Sequence, residues 1–259
     1  MNLKCLGSGN MNFNEFEQLI NSEVEEIVLT ENVLLEDCEE EDYISGIEIN
    51  ADNLIIEGNG HIIDGNKKTP LLKVNAFNVT LKNFRFKNGY SEYSGGAIIN
   101  NGSLTVVGCI FLDNSSEIYG GAIYTNSKLH IIASRFIENR SDYGGAIYID
   151  SDSILKLEGS EFTSNSSEFD GGAIYNKSKL LIYGSLFDEN ASFKGGAIYN
   201  KRILNVKSCA FINNIASDGN HIESENTENL NIYNCDFDEM NWWIILYILK
   251  NLNIRIMKL

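Results

Sequence analysis

Four tyrosines, Tyr124, Tyr148, Tyr175 and Tyr199, stand directly behind the same tetrapeptide, GGAI. If Ile123, Ile147, Ile174 and Ile198 point into a core, alternation along an extended chain turns these rings outward as a stripe. Such a stripe suits a sugar ligand, because a phenol offers an apolar face with a polar handle. With the opposite parity the tyrosines are core. They are the candidate ligand-binding residues. A second column is acidic: Asp113, Glu138, Glu189 and Glu239 each stand one before a recurrent position, at which asparagine recurs behind the first three. Glycoside hydrolysis needs two carboxylates about 5–9.5 Å apart beside a groove. A polysaccharide lyase needs clustered aspartates for Ca²⁺ and an arginine or lysine base. Here Ser164 and Asn213 interrupt the column, and Arg85, Arg135 and Arg140 adjoin no compact acidic cluster in the repeat register. A solvated turn accounts for the acids, so no catalytic residue, cofactor or metal site is expected.

The remaining candidates point the same way. His61 falls at a position otherwise taken by Phe and reads as a buried, hydrogen-bonded side chain, while His130 and His221 fall at outward or degenerate positions. GNGHIIDG contains GxG, but no helix follows it, as a dinucleotide site requires. HExxH, paired CxxC and GxSxG do not occur. Of the five cysteines, Cys209 and Cys235 occupy equivalent inward sites on successive repeats, within bridging distance, and Cys109 has serine above it. Free thiols filling a small-residue column are expected. Cys5 follows too few apolar residues for a lipoprotein attachment signal.

The elements that position these residues are repeats. GGAI opens at Gly95, Gly120, Gly144, Gly171 and Gly195, with a degenerate GNHI at Gly219, so the period is 24 to 27 residues. FxxN follows in register with Phe111, Phe136, Phe162, Phe187 and Phe211, closed by Asn114, Asn139, Asn165, Asn190 and Asn214. Phe237 opens a further copy in which Met240 replaces asparagine. Seven residues before each Phe stands leucine (Leu104, Leu129, Leu155, Leu180, Leu204, Leu230), and five before it Val106, Ile131, Leu157, Ile182, Val206 and Ile232. These two positions share one face of a strand. A small or bending residue three before Phe shifts the phase, so that a Cys or Ser and the Phe point inward on a second short strand. GGAI supplies a third.

A fixed period of this size is the signature of a solenoid. The fold expected is all-β: a right-handed parallel β-helix of about nine coils with a short N-terminal capping helix, roughly 43 Å long at about 4.8 Å per strand. Phe16, Leu19 and Ile20, on a helix opened by Asn14, are expected to cover the first coil. Residues 1–25 form the N-terminal cap, 26–239 the β-helix and 240–259 an apolar C-terminal cap or tail. The FxxN asparagines are expected inward at a turn, bonding the backbone above and below.

A formal net charge of −16 argues against nucleic acid and against anionic membrane surfaces. It leaves neutral glycans, cationic partners, or acidic partners bridged by Ca²⁺. The run Glu36 to Asp42, with Cys38 inside it, reads as a solvated loop. MNLKCLGSGN shows no signal-peptide core, and WWIILYIL (Trp242 to Leu249) is too short to span a bilayer, so no transmembrane span is expected. Seven N-x-[ST] sequons occur, at Asn78, Asn101, Asn114, Asn139, Asn165, Asn176 and Asn190. Four are ladder asparagines, which leaves Asn101 and Asn176 as the better glycan acceptors in an exported chain.

The GGAI and FxxN coils resemble the repeats of chlamydial polymorphic outer-membrane proteins. More closely, they resemble adhesin-like surface proteins of methanogenic archaea, whose lead-in is similar to DNLIIEGNGHIIDGN (Asp52 to Asn66) and NVTLKNFRFKNG (Asn78 to Gly89). The resemblance covers about residues 13 to 238. It implies a pectate-lyase-like β-helix and a place at the cell surface or outside the cell. Members carry a signal peptide and further C-terminal modules or an anchor, and neither is visible here. The function expected is a non-catalytic, adhesin-like or structural monomer. Its partners would be glycans or surface proteins of another cell. A carbohydrate-active β-helix enzyme, lyase or hydrolase, and a truncated non-functional fragment are the alternatives.

Overall fold

The computed structural model describes residues 10–22 and 24–238, so Cys5, Glu239, Met240 and the tail from Trp242 lie outside the described residues. The chain winds as an all-β parallel solenoid of about nine turns with one short helix near its N-terminus. Four strands, rather than three, close each central coil. One such coil runs through Ser103–Val107, Ile110–Leu112, Ser115–Ser116 and Ile123–Thr125. Stacked coils form sheets of nine, ten, six and eight strands respectively. The six-stranded sheet is the one not expected from the repeat pattern. Its strands are short and polar, and they carry no apolar alternation.

Like residues stack on like. Phe86, Phe111, Phe136, Phe162, Phe187, Phe211 and Phe237 are consecutive partners in the ten-stranded sheet. From Phe111 to Phe237 their ring centroids lie 4.5 to 5.0 Å apart and the stacked rings are nearly parallel. Phe86 through Phe211 are fully buried, each contributing roughly 1.5–3 kcal/mol. Leu104, Leu129, Leu155, Leu180, Leu204 and Leu230 form the equivalent column in the nine-stranded sheet.

Left-handed residues make the phase shifts. Three before each Phe stand Asn83, Gly108, Ala133, Gly159, Gly184, Ser208 and Asn234, all at φ between 47° and 63°. One residue of that hand interrupts the alternation: the residue before it, such as Tyr183 or Lys207, faces outward, and the residue after it, Ser185 or Cys209, faces inward. The first glycine of GGAI turns the next corner; Gly144, for example, has φ 68°. Its successor Gly145 is held to glycine by space, since a Cβ there would lie 2.2 Å from the Gly172 carbonyl oxygen.

The ladder asparagines are fully buried and satisfied. Asn139 Oδ1 accepts from the Asn114 backbone N–H (3.1 Å) and its Nδ2 (3.0 Å), while Asn139 Nδ2 donates to the Phe111 carbonyl (3.0 Å) and to Asn165 Oδ1 (2.9 Å). Asn165 and Asn190 repeat the scheme. In the small-residue column, backbone N–H groups of Cys109, Ser134 and Ser160 donate to the serine hydroxyl one coil on, at 3.1 to 3.2 Å.

Three expectations near the N-terminus need correction. The helix is Phe13–Ile20 with Asn12, not Asn14, as its cap, in a reciprocal capping box with Glu15. Phe13, Phe16 and Ile20 are buried under it and Leu19 is partly buried against the core. The Phe position of the early coil belongs to Ile63, which pairs with Phe86. His61 lies in the preceding loop, half-buried. The loop through Gly58 to His61 is two residues longer than its successors, and Gly58 leaves room for Phe84, whose ring a Cβ would meet at 2.6 Å. The acidic run is likewise more than a solvated loop. Glu39 is 5 % exposed, and its carboxylate accepts from the N–H groups of Phe13, Asn14 and Glu36. It thereby holds the cap helix on the first coils.

Candidate functional site

The strands Ile123–Thr125, Ile147–Ile149, Ile174–Asn176 and Ile198–Asn200 put their first isoleucine inward, fully buried. Alternation therefore sends Tyr124, Tyr148, Tyr175 and Tyr199 to the outer face, as a column of direct partners. They are outward yet covered. Tyr148, Tyr175 and Tyr199 are only 4 to 5 % exposed and Tyr124 is half-buried. Their rings stack on one another at 5.8, 4.9 and 5.2 Å. Corner aromatics close the flank: Tyr119 lies 4.5 Å from Tyr148, and Tyr143 meets Tyr175 edge-on at 5.5 Å. The ring faces are thus used by neighbouring coils, and what a ligand meets is edges, hydroxyls and charges.

Those charges form a neighbouring column. Asn50, Asn75, Asn101 and Asn126 pass side-chain hydrogen bonds of 2.9 to 3.1 Å along the surface. The column then becomes charged, as Asp150, Lys177, Lys201 and Glu225. The Tyr124 hydroxyl donates to Asp150 (2.8 Å) and Lys177 pairs with it (3.0 Å). Burial works against the Asp150 carboxylate, but the Ser151 N–H, Lys177 and Tyr124 together hold it below its usual range. Lys177 sits 5.8 Å over the Tyr148 ring, and Lys201 sits 5.7 Å over both Tyr175 and Tyr199. Burial and these acids push the phenols of Tyr124, Tyr148 and Tyr199 well above the ordinary phenol value, so they stay protonated donors.

The last coils depart from the repeat. Glu223 takes the tyrosine place beside Tyr199, and Glu225 accepts from the Tyr199 hydroxyl and pairs with Lys201 at 3.4 Å. Asp170, Lys194 and Asp218 are register partners on the adjoining sheet. Burial raises Asp170 and Glu223, with Glu225 adding to both, whereas the Tyr199 hydrogen bond lowers Glu225. Opposed shifts of this kind are what acid–base chemistry uses. The sequence reading missed this group, because its members come from four strands and stand at unlike repeat positions.

His221 belongs to the degenerate GNHI copy, and it is turned inward there. It is 9 % exposed at the inward alanine place, where Asn214 Nδ2 lies 3.3 Å from Nδ1 and Asp238 2.8 Å from Nε2. It ends the asparagine ladder, and burial lowers its affinity for a proton although Asp238 opposes this. His130 is outward, 3.2 Å from Glu158. In the acidic turn column, Asp113, Glu138, Ser164, Glu189 and Asn213 share φ of 52 to 55°, a turn geometry common to acid and neutral alike. Asn88 belongs to that column and Gly89 takes the ladder place, its N–H donating to Asn114. Cys109, Cys209 and Cys235 are free thiols, and burial pushes Cys109 up to about 12. Of the two sequons singled out, Asn176 is fully buried and bonded to Asn200, so it cannot carry a glycan. Asn101 is half-buried.

Among the described residues no helix is long and apolar enough to cross a membrane. No curated protein and no solved structure matches the chain. A family model does match, at two coils: residues 108–126 and 159–177 fit the Chlamydia polymorphic membrane protein repeat.

Proposed function

We propose that this chain is a non-catalytic, adhesin-like or structural solenoid that works at a cell surface. Its outer face would be offered to glycans or to proteins of another cell. One observation carries the reading: from coil to coil the inward ladders repeat almost without interruption, so the fold is devoted to a long, rigid, uniform wall. The two repeat matches support it, because the repeat is named for membrane proteins of Chlamydia. Glycan recognition at the tyrosine column would run through the Tyr124 hydroxyl, Asp150, Lys177, Lys201 and Glu225, since the ring faces are already stacked. Labelling intact producing cells with a membrane-impermeant amine reagent tests the location. Modification of Lys128, Lys179 or Lys207 on the outer face of the nine-stranded sheet is expected. Labelling only after lysis would overturn the surface reading.

A second reading, carbohydrate cleavage, is favoured by the group Asp170, Glu223 and Glu225 alone. Its members are engaged by Lys194, Lys201 and Tyr199, which argues for a structural network. Loss of new sugar ends on Glu223→Gln would be its signature.

A further inference from the structure

The six-stranded sheet differs from the other three in what it turns outward. Glu92, Glu117, Asp142 and Glu168 each follow a buried serine of successive coils; Ser91 pairs with Ser116 and Ser141 with Ser167, and the register shifts beyond Ser141. Glu92, Glu117 and Glu168 are exposed and Asp142 is half-buried. Like charges one rung apart, about 4.8 Å, oppose one another. The Asp142 carboxyl shows it: burial, then Glu168 and Glu117, raise its affinity for a proton, with Arg140 as the counterweight. Beside this column the same sheet exposes large apolar rings, Tyr93 at 69 %, Tyr119 at 36 %, Phe169 at 41 % and Phe193 at 54 %. Tyr143 links two of them, 5.9 Å from Tyr119 and 5.2 Å from Phe169. Neither feature contributes to the inward ladders, and an apolar patch on a soluble surface marks an interaction site.

The structure assigns this face as a docking surface for an extended basic segment of a partner protein. Charge complementarity selects the occupant. Guanidinium or ammonium groups satisfy stacked carboxylates and also pack over aromatic rings, and the whole chain carries a net charge of −16. A metal ion fits less well, since among the described residues no three acidic, histidine or cysteine side chains converge to hold one. An acidic glycan is repelled, and a neutral one leaves the carboxylates uncompensated. The dimensions suit an extended chain. Four carboxylates span about 14 Å, and three same-side residues of a strand, spaced about 6.8 Å, cover the same length. The assignment rests on the surface-binding reading for where the partner is met, and on this sheet's own side chains for its chemistry.

The test uses the purified full chain and a synthetic peptide alternating arginine and serine, with a glutamate–serine peptide as its opposite. Binding of the arginine peptide only is expected. Glu117→Gln with Glu168→Gln should weaken it about tenfold, and Phe169→Ser with Phe193→Ser should weaken it comparably. Glu25→Gln with Glu26→Gln, which removes equal charge from exposed residues elsewhere, should leave it unchanged. Equal weakening by that control pair, no effect of the aromatic pair, or no binding would each overturn the assignment. Glycan retention, measured on the same wild-type protein, reports separately on the tyrosine column.

Discussion

Replacing Asn139 by alanine tests the ladder that holds the coils in register. Asn139 is fully buried, and its side chain makes four hydrogen bonds to two neighbouring coils. In Asn139→Ala, the Asn114 N–H, one Asn114 Nδ2–H and the Phe111 carbonyl each lose a partner in the interior. Asn165 Oδ1 keeps the Asn139 backbone donor at 3.0 Å and so is spared. At about 1–3 kcal/mol for each of the three stranded buried groups, the loss should be about 3–9 kcal/mol, with the low end applying if water enters the vacated volume. Asn126→Ala is the matched control. It removes an exposed 3.0 Å bond to Asn101 and should cost under about 0.5 kcal/mol. Equilibrium urea unfolding reads both, and hydrogen exchange at the Asn114 amide localises the damage. A loss below about 1 kcal/mol for Asn139→Ala, or equal losses for the two variants, would refute the argument.

Glycine is needed at two corners for different reasons. Gly145→Ala should cost about 3 kcal/mol or more, because its methyl meets two carbonyl oxygens at 2.2 and 2.5 Å. Gly159→Ala meets nothing within 4 Å and should cost about 1 kcal/mol for its left-handed φ, which Ala133 already adopts; thermal melts separate the two. Because burial lowers the His221 pKa, the unfolded state takes up its proton first on acidification. The His221 contribution is therefore complete above about pH 6.5 and is lost as pH falls below it. Asp170 and Glu223, whose affinities for protons are raised, change stability in the opposite sense. The difference between wild type and His221→Gln across pH should isolate the imidazole. Glu39→Ala should cost about 0.5–2 kcal/mol by uncapping the N-terminal helix, read as the loss of its Phe13–Tyr43 packing in near-ultraviolet circular dichroism.

The inward ladders were legible because a solenoid stacks each residue on its own copy, so the Phe, Leu and Asn columns appear in the sequence as fixed offsets. The sequence leaves parity of the tyrosines open, because an Ile-Tyr pair offers a core either side chain, and the fully buried isoleucines decide it. Burial of the tyrosines was not legible, since the covering groups, Tyr119, Tyr143, Lys177 and Lys201, come from neighbouring strands and coils. The six-stranded sheet was invisible for a different reason. Strands such as Ser115–Ser116 are held by backbone pairing and carry no apolar period. His61 was misplaced because a fixed period cannot see a loop two residues longer than its copies. Glu39 looked like part of a solvated run, since its partners Phe13 and Asn14 lie 26 and 25 residues away. The carboxylate group around Glu223 arises where the repeat degenerates, and there the period carries no information.

Incubating the purified chain with a panel of neutral and acidic polysaccharides, with and without Ca²⁺, tests the central claim most directly. Retention on the glycan and new reducing or unsaturated ends are scored in the same tubes. The account predicts retention without new ends, reduced by Lys177→Ala and Lys201→Ala. New ends that vanish in Glu223→Gln would contradict it and make the last coils an active site.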